Sequence, residues 1–314
     1  MLRFLVTRLA SACFAALLSS FVVFLLMRAV PGDIVAQMLG QSGSDRSAEQ
    51  ALRGFFGLDQ PVHRQFLDWL GHVVQGDLGR SWYQGKRVTL LIADAFGVTL
   101  EVATATLLLA TLIGVPLGVT AGIYEGTRLD AAIQAFNLVG LSAPVFWVGL
   151  MLLVGASALL AWSPPFAYAS PSEDLADNIS IVILPVLSLA LLQAAAYSHF
   201  VRDCMIGELR RDYVKAAIAK GLSPAQVYFK HALRNILIPL VTFMGLILVQ
   251  ILGGTVVIES LFSLPGLGRL ILSGIQGRDY PVVQGALLFV VLIAILINFT
   301  VDLLYGLIDP RLRP

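Results

Sequence analysis

Charge is scarce in this sequence: Asp, Glu, Lys and Arg together make up 13% of its 314 residues. A soluble domain of this size is normally about a quarter charged. The formal net charge of +1 also argues against a nucleic-acid partner, which would call for a basic surface. Apolar residues make up 57% of the chain, so the composition indicates a membrane protein.

Cysteine and histidine are too few and too scattered for redox or metal chemistry. The two cysteines, Cys13 and Cys204, provide no disulfide framework and no cluster of metal ligands. A Walker-type phosphate-binding loop is missing as well. We therefore expect no catalytic residue, metal or cofactor in this chain. A membrane-embedded enzyme, which needs His, Asp or Glu clustered near an interface, is disfavoured.

Six apolar runs are long enough to cross a hydrocarbon core of roughly 30 Å as helices. They are predicted at about Leu9–Met27, Thr99–Gly122, Ile133–Trp162, Ile179–His199, Ile236–Ile258 and Val282–Tyr305. Arg3 and Arg8 precede the first run, as in a signal peptide, but no small-residue cleavage site follows before Pro31. The sequence therefore predicts an all-α polytopic membrane protein with six transmembrane helices, the first of them retained.

The short loops differ sharply in their content of Lys and Arg, which favour the cytoplasmic side. The loop between the fourth and fifth runs carries Arg202, Arg210, Arg211, Lys215, Lys220, Lys230 and Arg234. The loop between the third and fourth runs, from Ser163 to Ser180, carries none. This contrast predicts that the basic loop and both termini lie in the cytoplasm.

The first loop is the one sizeable region predicted outside the membrane. We divide the chain into residues 1–98, the first transmembrane helix plus an external loop, and residues 99–314, a five-helix core. Ser47 and Pro61 each predict the start of a short helix in the loop, with ends near Gly57 and Gly76. The second short helix carries an apolar stripe of Val62, Phe66, Trp69, Leu70, Val73 and Val74. The stripe either packs on the transmembrane bundle or forms a lid that faces a partner or substrate.

Ionisable residues are nearly missing from the apolar runs, where Glu101 and Asp302 are placed near helix ends. A proton-coupled carrier is expected to hold a midplane carboxylate. Neutral polar residues provide the candidate pathway: Asn137, Ser142, Gln193, Thr242 and Gln250. Each of them could equally form a hydrogen bond between helices. A pathway without ion coupling needs energy from elsewhere.

Residues 213–235, which we name the elbow, form a basic segment between two apolar runs. Ala216, Ala217 and Ala219 favour a helix, and Gly221 suits the left-handed residue that ends one. Ser223 to Gln226 then forms a capping box with Pro224 at the first helical position. The pattern predicts a short helix, a sharp turn and a second helix.

The elbow resembles the coupling motif of bacterial ABC importer permeases, in the form used by peptide and nickel importers. Ala216, Ala217 and Gly221 match the general motif, while Lys215 stands where a Glu is usual. The His-x-Leu-Arg-Asn ending at 231–235 is characteristic of the peptide and nickel subgroup. Further segments resemble the first permease subunit of dipeptide and oligopeptide importers. They are Pro31–Asp33, Gly76–Gly79, Thr99–Glu101, Phe262–Gly268, Arg278–Gly285 and Asp302–Arg311.

This resemblance implies a type I ABC importer permease fold with a cytoplasmic coupling helix, in a loop at about 203–235, in the bacterial inner membrane. It also implies the partners: a homologous second permease subunit, two ABC ATPase subunits that bind ATP and Mg, an extracytoplasmic solute-binding protein and membrane lipid. The ATPase-coupling residues would be Tyr213, Ala216, Ala217, Lys220, Gly221, Leu222, Ser223, His231 and Arg234. Candidate contacts for the solute-binding protein are Gly266, Gly268, Arg269 and Arg278.

The expected function is that of a non-catalytic subunit that passes di- or oligopeptides into the cytoplasm while partner ATPases hydrolyse ATP. Nickel, glutathione or another small solute is the alternative within the family. A stand-alone secondary carrier or channel is a different class of protein. It would work without partners and needs an intramembrane charge or filter that the sequence does not show.

Overall fold

The computed structural model describes residues 2–29, 46–55, 59–165 and 167–308. These residues form eleven α-helices, numbered here in chain order. The helices are α1 Leu2–Ala29, α2 Arg46–Phe55, α3 Val62–Val74, α4 Val88–Ile123, α5 Arg128–Ser142, α6 Val145–Leu160, α7 Leu175–Leu209, α8 Asp212–Ala219, α9 Leu233–Leu261, α10 Leu267–Gly277 and α11 Tyr280–Ile308. A π-helical segment, Gln226–Ala232, runs directly into α9. The predicted features at Pro31–Asp33, Gly57 and Arg311 lie outside the described residues.

Five of the predicted transmembrane runs are confirmed as single helices long and apolar enough to cross a membrane. They are Val6–Leu26, Val88–Ile123, Leu175–Leu209, Gln226–Leu261 and Tyr280–Leu304. The prediction of one continuous helix at Ile133–Trp162 is wrong. That run is broken into α5 and α6, which meet at an angle of 105°. Ala143 is extended, as the residue before a proline usually is, and Pro144 caps the start of α6.

The helices extend well beyond the apolar runs from which they were predicted. α4 contains 36 residues and begins at Val88 rather than at Thr99. Glu101 therefore lies inside α4, not near a helix end as predicted. The added segment, residues 88–98, is mostly apolar and largely buried or half-buried, so the helix continues past the boundary predicted at Thr99. The short-helix predictions agree more closely: α3 follows Pro61 directly, whereas α2 begins one residue before the predicted cap Ser47.

The chain divides into two compact units. The N-terminal unit contains residues 2–96 and 270–296, and the core unit contains residues 97–269 and 297–308. The predicted division at residue 98 stays a prediction.

In the N-terminal unit, α1 packs on α3 through aromatic rings. The ring centroid of Phe24 lies 5.3 Å from that of Phe66 and 5.8 Å from that of Trp69. The packing alternative for the apolar stripe of α3 is thus confirmed at these two positions. A buried carboxylate, Asp279, secures the loop before α4, since it accepts hydrogen bonds from Ser81 Oγ at 2.5 Å and from the Trp82 N–H at 3.2 Å.

In the core unit, α7 is the central helix and packs against α5, α6 and α9. A line of glycines on α4 lets the backbone of α7 approach closely. A Cβ added at Gly114 would lie 2.5 Å from the Ala194 carbonyl oxygen, and one at Gly118 would lie 2.5 Å from that of Ser198. The core unit is therefore held by close helix contacts that leave no room for a side chain at these positions.

Candidate functional site

The elbow begins as the short helix α8 and turns at Gly221, as predicted. Gly221 has a φ of 82°, and its N–H donates to the Ile218 carbonyl at 2.9 Å. The Leu222 N–H donates to the Ala217 carbonyl at 3.3 Å. A positive φ is strained for a residue with a side chain, so the reversal of the chain depends on this glycine.

The capping box after the turn is confirmed. The Ser223 N–H donates to Gln226 Oε1 at 3.1 Å, and the Gln226 N–H donates to Ser223 Oγ at 3.4 Å. The predicted second helix does begin after the turn, but residues 226–232 adopt a π-helix that continues into α9. Wide π-helical turns are rare and often occur at functional positions. The elbow is thereby joined to a transmembrane helix without an intervening loop.

A polar cluster around Glu208, which we name the brace, connects the elbow to the neighbouring helix ends. The Tyr213 hydroxyl donates to Glu208 Oε2 at 2.7 Å, and Arg211 Nε lies 2.9 Å from Glu208 Oε1. Asn235 Nδ2 donates to the Tyr213 hydroxyl at 3.0 Å and to Glu208 Oε2 at 3.3 Å. Burial, together with donation to Glu208, raises the pKa of Tyr213, so the phenol remains a neutral donor. The brace therefore ties the ends of α7 and α9 to α8.

The basic residues of this region fall into two groups. Arg202 pairs with Asp130 in the first turn of α5, and Arg210 pairs with Glu125 in the segment that joins α4 to α5. Arg202 binds Asp130 through two bonds, of 2.7 and 2.8 Å, and Arg210 lies 2.7 Å from Glu125. In contrast, three exposed cations form no ion pair within the described part of the chain. They are Lys220, Lys230 and Arg234.

The predicted coupling residues differ in how far they reach the surface. The exposed ones are Ala216, Lys220, Gly221, Ser223 and Arg234, and the half-buried ones are Tyr213, Ala217, Leu222 and His231. Two large apolar side chains missed by the sequence reasoning are also exposed, Ile218 at 59% and Phe229 at 57%. Exposed apolar residues beside unpaired cations give the elbow the composition of a surface that another protein covers.

Phe229 also lines an apolar groove of about 500 Å³ between the elbow and the end of α4. Pro116, Thr120 and Tyr124 form the α4 side of this groove, and Tyr228 lies beside Phe229. This groove could not be predicted from the sequence, because its two sides are about a hundred residues apart in the chain. Glu208 was also missed by the sequence reasoning. The sign available in the sequence was that it is an acidic residue in a loop otherwise rich in cations.

The candidate pathway residues lie on α5, α7 and α9. Asn137 is 2% exposed and its Nδ2 donates to Gln134 Oε1 at 2.9 Å, within α5. Thr242 Oγ1 donates to the Ile238 carbonyl of its own helix. Gln193 is half-buried, whereas Ser142 and Gln250 are exposed. The recorded bonds of Asn137 and Thr242 thus run along a helix rather than between helices, and a pathway role for the five residues stays a prediction.

Two of the candidate contacts for a solute-binding protein surround a buried carboxylate that the sequence reasoning missed. Glu259 is fully buried near the end of α9 and accepts hydrogen bonds from Thr99 Oγ1 at 2.7 Å and the Arg269 N–H at 3.1 Å. Gly266 and Gly268 are buried against it, and a Cβ at either position would clash with its carboxylate. These glycines therefore have a packing role.

The other two candidate contacts are arginines. The Arg269 residue is exposed and its guanidinium donates to the Ser263 carbonyl oxygen. Arg278 is half-buried, with a φ of 54°, and belongs to the N-terminal unit. Contact of the four residues with a binding protein stays a prediction.

Comparison with known families accounts for nearly the whole chain. Residues 114–314 match the family described as binding-protein-dependent transport system inner membrane component. Residues 1–103 match the N-terminal family of the same transport systems. Both matches agree with the family resemblance that the sequence motifs indicated.

Curated relatives are similar in sequence over nearly their full length. The di/tripeptide transport system permease protein DppB of Pseudomonas aeruginosa is 37% identical in an alignment that covers 94% of either chain. The probable peptide ABC transporter permease protein y4tP of Sinorhizobium fredii is 34% identical over 99% of either chain. A putative peptide permease protein of Brucella suis is 36% identical over 100% of this chain and 99% of its own.

Solved structures with the same fold are transporters. An inward-facing structure of the MetNI methionine ABC transporter aligns with a TM-score of 0.58 at 18% identity, over 70% of this chain and 97% of that one. An amino acid ABC transporter with histidines gives a TM-score of 0.51 over 71% of this chain and 95% of that one. The chain therefore belongs to the binding-protein-dependent transport system inner-membrane components, and it is a multi-pass permease subunit of an ABC importer of the bacterial inner membrane.

Proposed function

We propose that this subunit passes di- or oligopeptides from an extracytoplasmic solute-binding protein into the cytoplasm, with ATP hydrolysed by partner ATPases that dock on the elbow. The observation that carries the docking is the combination of a braced backbone with the exposed, unpaired Lys220, Lys230 and Arg234. The names of the full-length relatives support a peptide as the solute. A homologous second permease would complete the pathway.

The brace suggests how ATP hydrolysis reaches the pathway. When two ATPases close, each pushes on the elbow that it holds. The elbow transmits this push because α8 is hydrogen-bonded to the ends of α7 and α9 and cannot move alone. The central position of α7 would then carry the movement to α5, α6 and α9. No ion gradient is needed in this scheme.

Reconstitution of the complete importer tests this function. The chain is purified with a second permease and two ATPases, placed in liposomes, and supplied with the binding protein, labelled dipeptide and ATP. We expect ATP-dependent uptake that unlabelled di- and tripeptides inhibit and that nickel or glutathione does not. Inhibition of uptake by nickel or glutathione, but not by peptides, would show that solute to be the substrate instead. Uptake by this chain without any ATPase would overturn the coupling and favour a stand-alone carrier.

Charge reversal tests the docking surface. Lys220→Glu and Arg234→Glu should each weaken copurification of the ATPases. Arg64→Glu is the matched control, because Arg64 is an exposed cation on α3 and lies outside the elbow. An ATPase complex that survives both reversals at the level of the control would count against docking at these cations.

A further inference from the structure

A second candidate site lies in the N-terminal unit, apart from the elbow. It is a cavity of about 220 Å³ between α1, α3, the loop before α4 and the start of α11. Trp69, Trp82 and Tyr280 supply aromatic walls, and Arg28, Asp68 and Gln284 supply polar groups. The cavity is smaller than the roughly 300–1,000 Å³ of sites for drug-sized ligands. It suits a ligand, or part of one, about the size of an amino acid.

Arg28 is fixed in place on one side of the cavity. Its guanidinium lies 3.9 Å from the centroid of the Phe24 ring, and its Nε donates to Gln65 Oε1 at 3.1 Å. Gln65 Nε2 donates in turn to the Gln60 carbonyl oxygen at 2.6 Å, which orients the amide. Within the described residues no carboxylate pairs with Arg28. A positioned guanidinium that keeps unused donors is suited to an anionic oxygen ligand.

Gln284 adds a second donor on the α11 side. The residue is 6% exposed, and its Nε2 is enclosed without any hydrogen-bond acceptor in the described part of the chain. A buried donor left unpaired costs about 1–3 kcal/mol, and such groups usually have an ordered water or a ligand as partner. The Gln284 residue lines the cavity, and rotation of its side-chain amide toward the cavity would bring Nε2 to an acceptor there.

We propose that this cavity binds the carboxylate of a small ligand, namely the C-terminal residue of a short peptide. In this complex Arg28 donates to the carboxylate, Gln284 donates after its amide has rotated toward the cavity, and Trp69 and Trp82 pack against the adjacent carbon atoms. Asp68, exposed on the cavity lining, can accept from an amino group. The choice of a peptide rests on the proposed function; the carboxylate chemistry comes from the two donors.

Equilibrium binding of labelled dialanine to the full chain in nanodiscs tests the site. Dialanine amide, which lacks the terminal carboxylate, should bind at least about tenfold more weakly, as expected when a charged hydrogen-bonding group is removed. Acetate should compete only weakly, because it lacks the rest of the residue. If acetate competes as well as dialanine, the site recognises any small carboxylate, and the choice of a peptide C-terminus is overturned.

Two substitutions assign the binding to the cavity. Arg28→Met and Gln284→Leu should each weaken dialanine binding by about tenfold. Gln284→Leu removes a donor that has no partner, so the protein is expected to fold normally. Arg64→Met, on α3 but outside the cavity lining, is the control and should bind like the parent chain.

Equal affinity for dialanine and its amide, or full binding by both cavity variants, would overturn the site. Because this assay contains no ATPase, its failure leaves the proposed import function standing. Conversely, the chain could bind dialanine normally but fail to assemble with ATPases. That result would support the binding site and refute the proposed import function.

Discussion

The side-chain amide of Asn235 donates to the hydroxyl oxygen of Tyr213 across 3.0 Å and thereby joins the start of α9 to the first turn of α8. The same hydroxyl donates to Glu208 near the end of α7. Three helices thus meet at one phenol. A load applied to α8 is shared by two long helices, which is what a coupling element requires.

Replacing Tyr213 by Phe removes the hydroxyl and keeps the ring. Glu208 would retain Arg211 and Asn235, so we expect the chain to fold with a loss of about 1 kcal/mol in the free energy of unfolding. The peptide transported per ATP hydrolysed should fall several-fold, because α8 can then move without α7 and α9. Uptake and ATP hydrolysis are measured together in the reconstituted importer. Tyr228→Phe is the control, since that hydroxyl makes no hydrogen bond within the described residues; equal coupling in both variants would remove the brace from the mechanism.

Substituting Gly221 tests the turn of the elbow through its backbone alone. A Cβ at this position would meet no atom within 4 Å, so the effect of Ala comes from the φ of 82°. We expect Gly221→Ala to cost about 1–2 kcal/mol and to lower uptake at normal abundance. Gly221→Asn should retain more uptake, because Asn tolerates the left-handed region. Gly207→Ala, a helical position with equally open space, should behave like the parent chain. If Ala and Asn at 221 behave alike, strain is not the cause.

Gly118 tests the close contact between α4 and α7. A Cβ there would lie 2.5 Å from the Ser198 carbonyl oxygen and 2.7 Å from Val201 Cβ. Gly118→Ala should therefore lower the thermal unfolding midpoint, at a cost of about 1–3 kcal/mol. Gly155→Ala in α6 is the control, since nothing lies within 4 Å of its added Cβ. An unchanged midpoint for Gly118→Ala would mean that the two helices are farther apart than described.

Thr99 tests the buried carboxylate of Glu259. Its hydroxyl donates to Glu259 Oε1 at 2.7 Å and accepts from the Leu267 N–H at 2.8 Å. Thr99→Val leaves both groups without this partner, so we expect a loss of about 1.5–3 kcal/mol in the free energy of unfolding. Thr104→Val on the same helix removes only exposed bonds to backbone carbonyls and should be nearly neutral. Similar denaturation midpoints for the two variants would exclude a stabilising role for the Glu259 cluster.

Local chemistry explains what the sequence could predict. Apolar runs of sufficient length become helices wherever they occur, and the turn at Gly221 with its capping box is specified within a few residues. Distant partners explain what it could not predict. Glu259 is held by Thr99, which lies 160 residues away in the chain, and Asp279 by Ser81, which lies 198 residues away. A single sequence carries no signal of such pairs.

The break between α5 and α6 was missed for a different reason. Hydropathy measures how apolar a run is and not whether its backbone is continuous, so it predicts Ile133–Trp162 as one helix. Pro144 was the available sign. The π-helical segment was missed because its sequence also suits an ordinary α-helix, and the choice between them depends on packing rather than on residue type.

The break at Ala143–Pro144 bears on the number of times the chain crosses the membrane. At the start of α5, Asp130 contacts Arg202 near the end of α7, and beyond α6 the Ala169 carbonyl accepts from Asn178 near the start of α7. These two contacts, one at each end of α7, favour one crossing by the bent pair over a hairpin that returns to its own side. Added to the five single spans, it makes the number of crossings among the described helices even. We therefore expect the amino end of α1 and the carboxyl end of α11 to face the same compartment, so that tags at the two ends are protected or cleaved together.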